Sequence, residues 1–245
     1  MKALLILLLA IAGLFNMGFA HAETLDDANR AFAGGQYHAS TQGYQAILTQ
    51  NGYSAPVLFD LGNSYYREGN FAQAILSYQR ARLLAPNDAD IAANLQLAQR
   101  QAGVAVSDPQ WSDKLTTFLS ASVWAWLACS AWTLFCLCLL VRAVIPQWRS
   151  PFMLIAIADA LVLGLAIAAL VVSSSQLRQA VVIDKNASAL ISPFPAAQTV
   201  FAPAPGETVT VQKAYDDFFL VKDNAGHSGW ISKTQITPIV PPGAS

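Results

Sequence analysis

Charged side chains are scarce in this 245-residue chain: Asp, Glu, Lys and Arg make up 12% of it, about half their share in an average soluble domain. That scarcity argues against an ordinary cytosolic enzyme. A basic excess is also missing, with 14 Lys and Arg against 15 Asp and Glu, so nothing is available to hold a phosphate backbone and no nucleic acid partner is expected. Cysteine is limited to Cys129, Cys136 and Cys138. All three fall in one apolar run, which leaves neither a disulfide staple nor a zinc site, and no metal ligand set is expected. Histidine is nearly absent: beyond His21, only His38 and His227 occur. They lie far apart, and no Ser, Cys or Asp motif accompanies either, so no catalytic residue and no cofactor are assigned. Gly34-Gly35 precedes no Lys-Ser or Lys-Thr pair and is no phosphate cradle. Apolar residues are what the chain does have, at 54%. Disorder is thereby excluded, and the excess must lie in membrane segments or cores.

The N-terminus joins Lys2, an apolar stretch over 3–15 and the small-residue pattern Ala20-His21-Ala22. This predicts a signal peptide over 1–22 that carries Glu23 onward out of the cytoplasm. Two later stretches, 118–141 and 152–173, are 24 and 22 residues long. Each is enough to cross roughly 30 Å of hydrocarbon. The turn over 142–151 holds Arg142, Arg149, Pro146 and Pro151 and no acid, which reads as a cytoplasmic loop. Trp111 and Trp148 flank the spans, where indoles favour the headgroup layer. Asp159 is the one charge inside either span and the intramembrane polar site of the chain. It adjoins a small-residue stripe, Ala156, Ala160, Gly164 and Ala168, and is expected to bond Ser130, Thr133 or an indole of the first span, or another subunit.

Self-similarity recurs at 34 residues: Gly35-Gln36-Tyr37 against Gly69-Asn70-Phe71, and Tyr44 against Tyr78. Thirty-four is the tetratricopeptide period. A repeat beginning at Ala55 sets Leu58, Leu61, Gly62, Tyr65, Ala74, Tyr78, Ala81 and Pro86 on the eight signature positions. An earlier, more degenerate repeat runs to Ser54, with Ser40, Ile47 and Gly52 in place of preferred residues. A closing helix over 89–101 presents Ile91, Leu95 and Ala98 on one face. The all-α repeat domain over 23–106, five helices followed by a linker over 107–117, forms a concave peptide groove. Its candidate contacts are Asn29, Phe32, Phe59, Asn63, Tyr66, Arg67 and Asn94. Amides at Asn29 and Asn63 suit a peptide backbone, and Arg67 suits a carboxylate.

From 179 to 240 the pattern changes to seven short β-rich runs separated by Pro203-Ala204-Pro205-Gly206, Asp216-Asp217 and Asp223-Asn224-Ala225-Gly226. Such spacing predicts a small all-β barrel. Gly229-Trp230-Ile231, after Pro205-Gly206-Glu207 and Phe218 to Val221, resembles bacterial SH3-like domains. Trp230 is expected to fill the barrel core, with Tyr215, Phe218 and His227 as better contact residues and Trp230 as a further candidate. Residues 241–245 are a tail.

In this order, signal peptide, repeats closed by Asp90-Ile91-Ala92-Ala93-Asn94-Leu95, two spans and a Gly-Trp-Ile tail, the chain resembles the BatE type of protein from bacterial aerotolerance operons. The resemblance implies a multidomain inner-membrane scaffold, not an enzyme, with both folded domains periplasmic. It also implies protein partners: von Willebrand A domain membrane proteins and a MoxR-type ATPase, in aerotolerance or envelope stress. A competing expectation is an envelope protein whose SH3-like domain grips cell-wall peptide.

Overall fold

The computed structural model describes residues 24–106, 121–145 and 149–241. The leader, most of the linker, Trp111, Pro146, Trp148 and residues 242–245 lie outside these. Five helices come first: α1 (Leu25–Ala33), α2 (Tyr37–Asn51), α3 (Ala55–Arg67), α4 (Phe71–Leu84) and α5 (Ala89–Ala102). Thr24 and Asp27 form a capping box at α1, and the Asp88 carboxylate accepts from the Asp90 and Ile91 N–H groups at α5. The tight turns within each repeat pass through Gly35 and Gly69, at φ +76° and +77°, a conformation glycine adopts without strain. The 34-residue spacing therefore marks one turn made twice.

Successive helices pack through the small and large residues of the period. Gly62 lies so close to Tyr78 that an added Cβ would stand 2.5 Å from its ring. The first repeat solves the same problem differently, with Ala28, Ser40, Tyr44 and Ile47 all buried. Its polar replacement is satisfied: the Ser40 hydroxyl donates to Tyr37 O and contacts Ser64 Oγ, both at 2.9 Å.

Two apolar helices follow, α6 (Ala121–Val144) and α7 (Arg149–Gln176), packed against each other. Trp124, Ala131 and Cys138 of α6 face Ala156, Asp159, Ala166 and Ala169 of α7 along a seam with the seven-residue recurrence of a helical pair. Of the expected stripe only Ala156 is buried; Ala160, Gly164 and Ala168 are exposed. Positions four apart drift about 40° per step on a 3.6-residue helix, so the three steps from Ala156 to Ala168 carry the stripe off a seam that recurs every seven residues. Among the described residues, Val123–Val141 is one helix segment long and apolar enough to cross a membrane, with mean hydropathy 1.9. The described apolar part of α7 is Ile155–Val171.

Among the described residues seven strands follow: β1 (Gln179–Val182), β2 (Ala189–Leu190), β3 (Thr199–Phe201), β4 (Thr208–Tyr215), β5 (Phe218–Lys222), β6 (Ser228–Ser232) and β7 (Ile236–Pro238). They form an antiparallel sheet in the order β3-β2-β6-β5-β4-β1-β7. Each lies within or overlaps one of the seven β-rich runs. A tight turn at Asp216-Asp217, with Asp216 at φ +46°, joins β4 to β5. The sheet core gathers Ala180, Val182, Val209, Val221, Ile231 and Ile236.

The sheet is not an independent body. Val181 and Ile239 join the core of the repeats, beside Ile75, Leu76 and Tyr78. Strand β1 thus buries both faces, Ala180 and Val182 toward the sheet and Val181 toward the helices. Arg80 on α4 donates to the Ile239 and Pro238 carbonyls at 2.9 Å each, and Gln79 Nε2 donates to Thr208 Oγ1 at 2.8 Å. Gly206 is pressed against α4 and α5, where a Cβ would meet Ile75 Cδ1 at 2.8 Å. Burying Val181 and Ile239 stabilises this contact by roughly 1.5 to 3 kcal/mol each.

Candidate functional site

The concave side of the helical repeats holds a cavity of about 180 Å³ lined by Phe32, Asn63, Tyr66, Arg67, Tyr78, Asn94 and Leu97. That is below the roughly 300 to 1,000 Å³ of small-molecule sites, and it suits one side chain of a bound polypeptide. Phe32, Asn63, Tyr66, Arg67 and Asn94 are five of the seven residues named from the sequence. The period places them there: α1, α3 and α5 are the first helices of successive units and share this face.

Asn29 and Phe59 are not part of the lining. Phe59 packs on the core against Tyr78, ring centres 5.9 Å apart. Asn29 Oδ1 accepts from the Tyr44 hydroxyl at 2.6 Å, and Asn63 Oδ1 accepts from Tyr78 at 2.8 Å. These two bonds are the same contact one period apart, so the Asn pair expected to greet a ligand is first of all structural. Asn63 Oδ1 also accepts from Asn94 Nδ2 at 3.1 Å. Its oxygen is thereby occupied, and its N–H donors carry what the amide can offer a peptide carbonyl.

Arg67 is exposed, its guanidinium 4.7 Å from the centre of the Tyr37 ring, a stacking that holds it at the rim. Tyr37 in turn meets Phe32 edge-on at 5.6 Å. The neighbouring Glu68 points elsewhere, accepting from Thr41 Oγ1 at 3.0 Å. Burial raises the carboxyl of Asp60 above its ordinary range. Burial, with the nearby Asp60 charge, pushes the Tyr44 phenol up to about 12. The phenol of Tyr78 is raised further, by burial, Tyr66 and Asp60 in that order. All of these phenols are neutral donors at physiological pH. Tyr78 and Leu97 were missed as lining because one is a signature core position and the other an exposed leucine of the closing helix. Their signal lies in the same one-face spacing, Asn94 to Leu97.

The four candidates in the sheet divide. Tyr215 is 53% exposed and meets Trp230 edge-to-face at 6.2 Å, with Phe218 paired across the hairpin. Trp230 is only partly buried, so the expectation that it fills the core is corrected: Ile231, its neighbour on the other face, does so. A bulge between Val211 and Lys213 shifts the register of β4 and β5, which fixes the face each side chain takes. His227 sits at the far end of β6, its Nδ1 2.7 Å from Asp223 Oδ2 and its ring near Phe201. Burial raises the Asp223 carboxyl, but hydrogen bonds from the His227 ring and backbone outweigh this and lower it overall.

Asp159 is buried in the seam, and its Oδ2 has no hydrogen-bond partner among the described residues. Two of the expected partners are used locally: Ser130 Oγ donates to Leu127 O at 3.0 Å and Thr133 Oγ1 to Ser130 O at 2.8 Å. Hydroxyls on a helix readily bond the preceding turn, which removes them from the seam.

A family model described as tetratricopeptide repeat matches residues 55–88. No curated protein matches the chain. The matched span covers α3 and α4 and ends at the turn before α5. The chain carries a helical repeat of the kind that binds protein partners, joined to an antiparallel sheet.

Proposed function

We propose that this chain is a non-enzymatic inner-membrane adaptor whose helices α6 and α7 both cross the bilayer. On this reading the repeats and the sheet, an SH3-like barrel, stand together on the periplasmic side. The observation that carries it is the core shared by α4, β1 and Ile239, the residue that follows β7. Segments before α6 and after α7 that pack together occupy one side of a membrane, and a chain that leaves and returns crosses an even number of times. Helix α7 has 28 residues, about 42 Å, and is long enough for the second crossing. The outer side follows from the expected leader over 1–22.

The adaptor role draws support from the repeat and from the open cavity on its concave face. Neither histidine argues for catalysis: the side chains of His38 and His227 are 82% and 62% exposed, in different parts of the fold. By resemblance to the BatE type, the partners are von Willebrand A domain membrane proteins acting with a MoxR-type ATPase in aerotolerance or envelope stress. The test is a photo-crosslinking residue at position 67 in intact cells, expected to capture such a partner. Leu97→Ala should lower the yield without lowering helicity. Crosslinks indifferent to Leu97, or protease sites before α6 and after α7 found in different compartments, would overturn it.

A second reading, cell-wall peptide binding, is favoured by the exposed Tyr215–Trp230 pair. Sedimentation of the full chain with cell wall, abolished by Tyr215→Ala, separates the two. The isolated sheet is unsuitable for that assay because it would uncover Val181 and Ile239.

A further inference from the structure

Where α7 gives way to β1, a second cavity of about 320 Å³ opens. Val211, Phe219 and Pro238 line its apolar side, while Arg178 and Lys213 stand at its rim. Both cations are exposed, and neither joins an ion pair among the described residues. Lys233 adds a third positive charge, its Nζ 5.4 Å from the centre of the Phe219 ring. No lining residue is acidic. The rim is anchored rather than trailing: the Val211 N–H donates to Arg178 O at 2.8 Å and the Ile239 N–H to Gln179 O at 3.0 Å. Next to it Leu177 leaves 57% of its surface exposed.

We propose that this cavity binds the phosphate-bearing headgroup of an anionic lipid at the membrane surface, an inference that rests on α7 crossing the bilayer. The apolar stretch of the second span ends at Ser173, five residues before Arg178, and helix α7 ends at Gln176. Arg178 therefore stands roughly 8 Å beyond the hydrocarbon edge at 1.5 Å per helical residue. That depth is the headgroup layer, about 5 to 8 Å thick on each side. A guanidinium forks onto phosphate oxygens and an ammonium adds a point charge, while Leu177 and the apolar wall meet the glycerol and upper acyl carbons. A free phosphate ion would leave that apolar surface unused, which is why the lipid is the better occupant.

The full-length protein in a neutral detergent is titrated with phosphatidylglycerol and, separately, phosphatidylcholine, and the retained lipid is quantified. Phosphatidylglycerol should be retained preferentially. Arg178→Ala with Lys213→Ala should weaken its retention at least about tenfold, and Arg178→Lys with Lys213→Arg should restore most of it. Equal retention of both lipids, no effect of the double alanine variant, or displacement by inorganic phosphate at matched concentration would overturn the proposal. Alkaline carbonate extraction of membranes containing the wild type runs in parallel. Release into the soluble fraction would overturn the membrane reading and this proposal with it, whereas retention with indiscriminate lipid binding would overturn this proposal alone.

Discussion

Helices α2 and α4 hold equivalent places in successive repeats, yet their outer faces differ. On α2, His38, Gln42 and Gln45 are exposed. One period later Ala72, Leu76 and Gln79 on α4 are buried beneath the sheet. The inner faces match, Tyr44 with Tyr78 and Ser40 with Ala74. Tyr44 and Tyr78 report the internal packing, whereas His38 to Ala72 and Gln42 to Leu76 turn from polar to apolar where α4 is covered, and Gln79, unlike Gln45, spends its amide on Thr208.

The contrast is broken most severely at Val181. Val181→Asp sets a carboxylate in the core shared with α4, and a loss of about 3 to 5 kcal/mol is expected. Thermal unfolding of the full chain reads the loss, and amide exchange should show α4 falling to the protection of α2. Gly62→Ala tests the inner face. Its Cβ collides with the Tyr78 ring, an overpacking of about 1 to 3 kcal/mol, partly offset by about 1 kcal/mol of helix propensity. Ala28→Gly, the mirror change in the first repeat, should cost only about 1 kcal/mol, and denaturant midpoints compare the two. Tyr78→Phe removes the bond to Asn63 at about 1 kcal/mol, with Tyr44→Phe costing less because Asn29 is exposed. The smallest effect belongs to α2: His38→Ala should stay within about 0.5 kcal/mol.

Alkaline pH offers a further probe. Tyr44 is raised to about 12 by burial and the Asp60 charge, so between pH 10 and 12 the unfolded chain loses a phenolic proton that the folded one keeps. Stability is intact below pH 10 and declines as pH rises through that window. Tyr44→Phe should delay the decline, as read from unfolding midpoints against pH.

Much of the architecture could be read from residues alone. The second repeat was legible because Gly62, Ala74 and Tyr78 leave few other packings, and the strands because turn residues bracket each of them. Five cavity residues followed from the period. The docking of sheet on repeats was not legible, since Val181 and Ile75 look like ordinary core residues of their own elements. Trp230 was misplaced because strand alternation gives two faces without saying which is inner; the cluster of Val209, Val221 and Ile231 settles that. The stripe through Ala160 and Gly164 failed because spacing by four rotates away from a seam.

The shared core also bears on synthesis. Helix α4 ends at Leu84, and the partner that seals its outer face ends at Ile239, about 155 residues later. At roughly 5 to 20 residues per second, Ile75 and Leu76 wait on the order of ten to thirty seconds after leaving the ribosome before their cover exists. Throughout that interval the nascent helices offer an uncapped greasy flank, the moment at which a chaperone has most to protect.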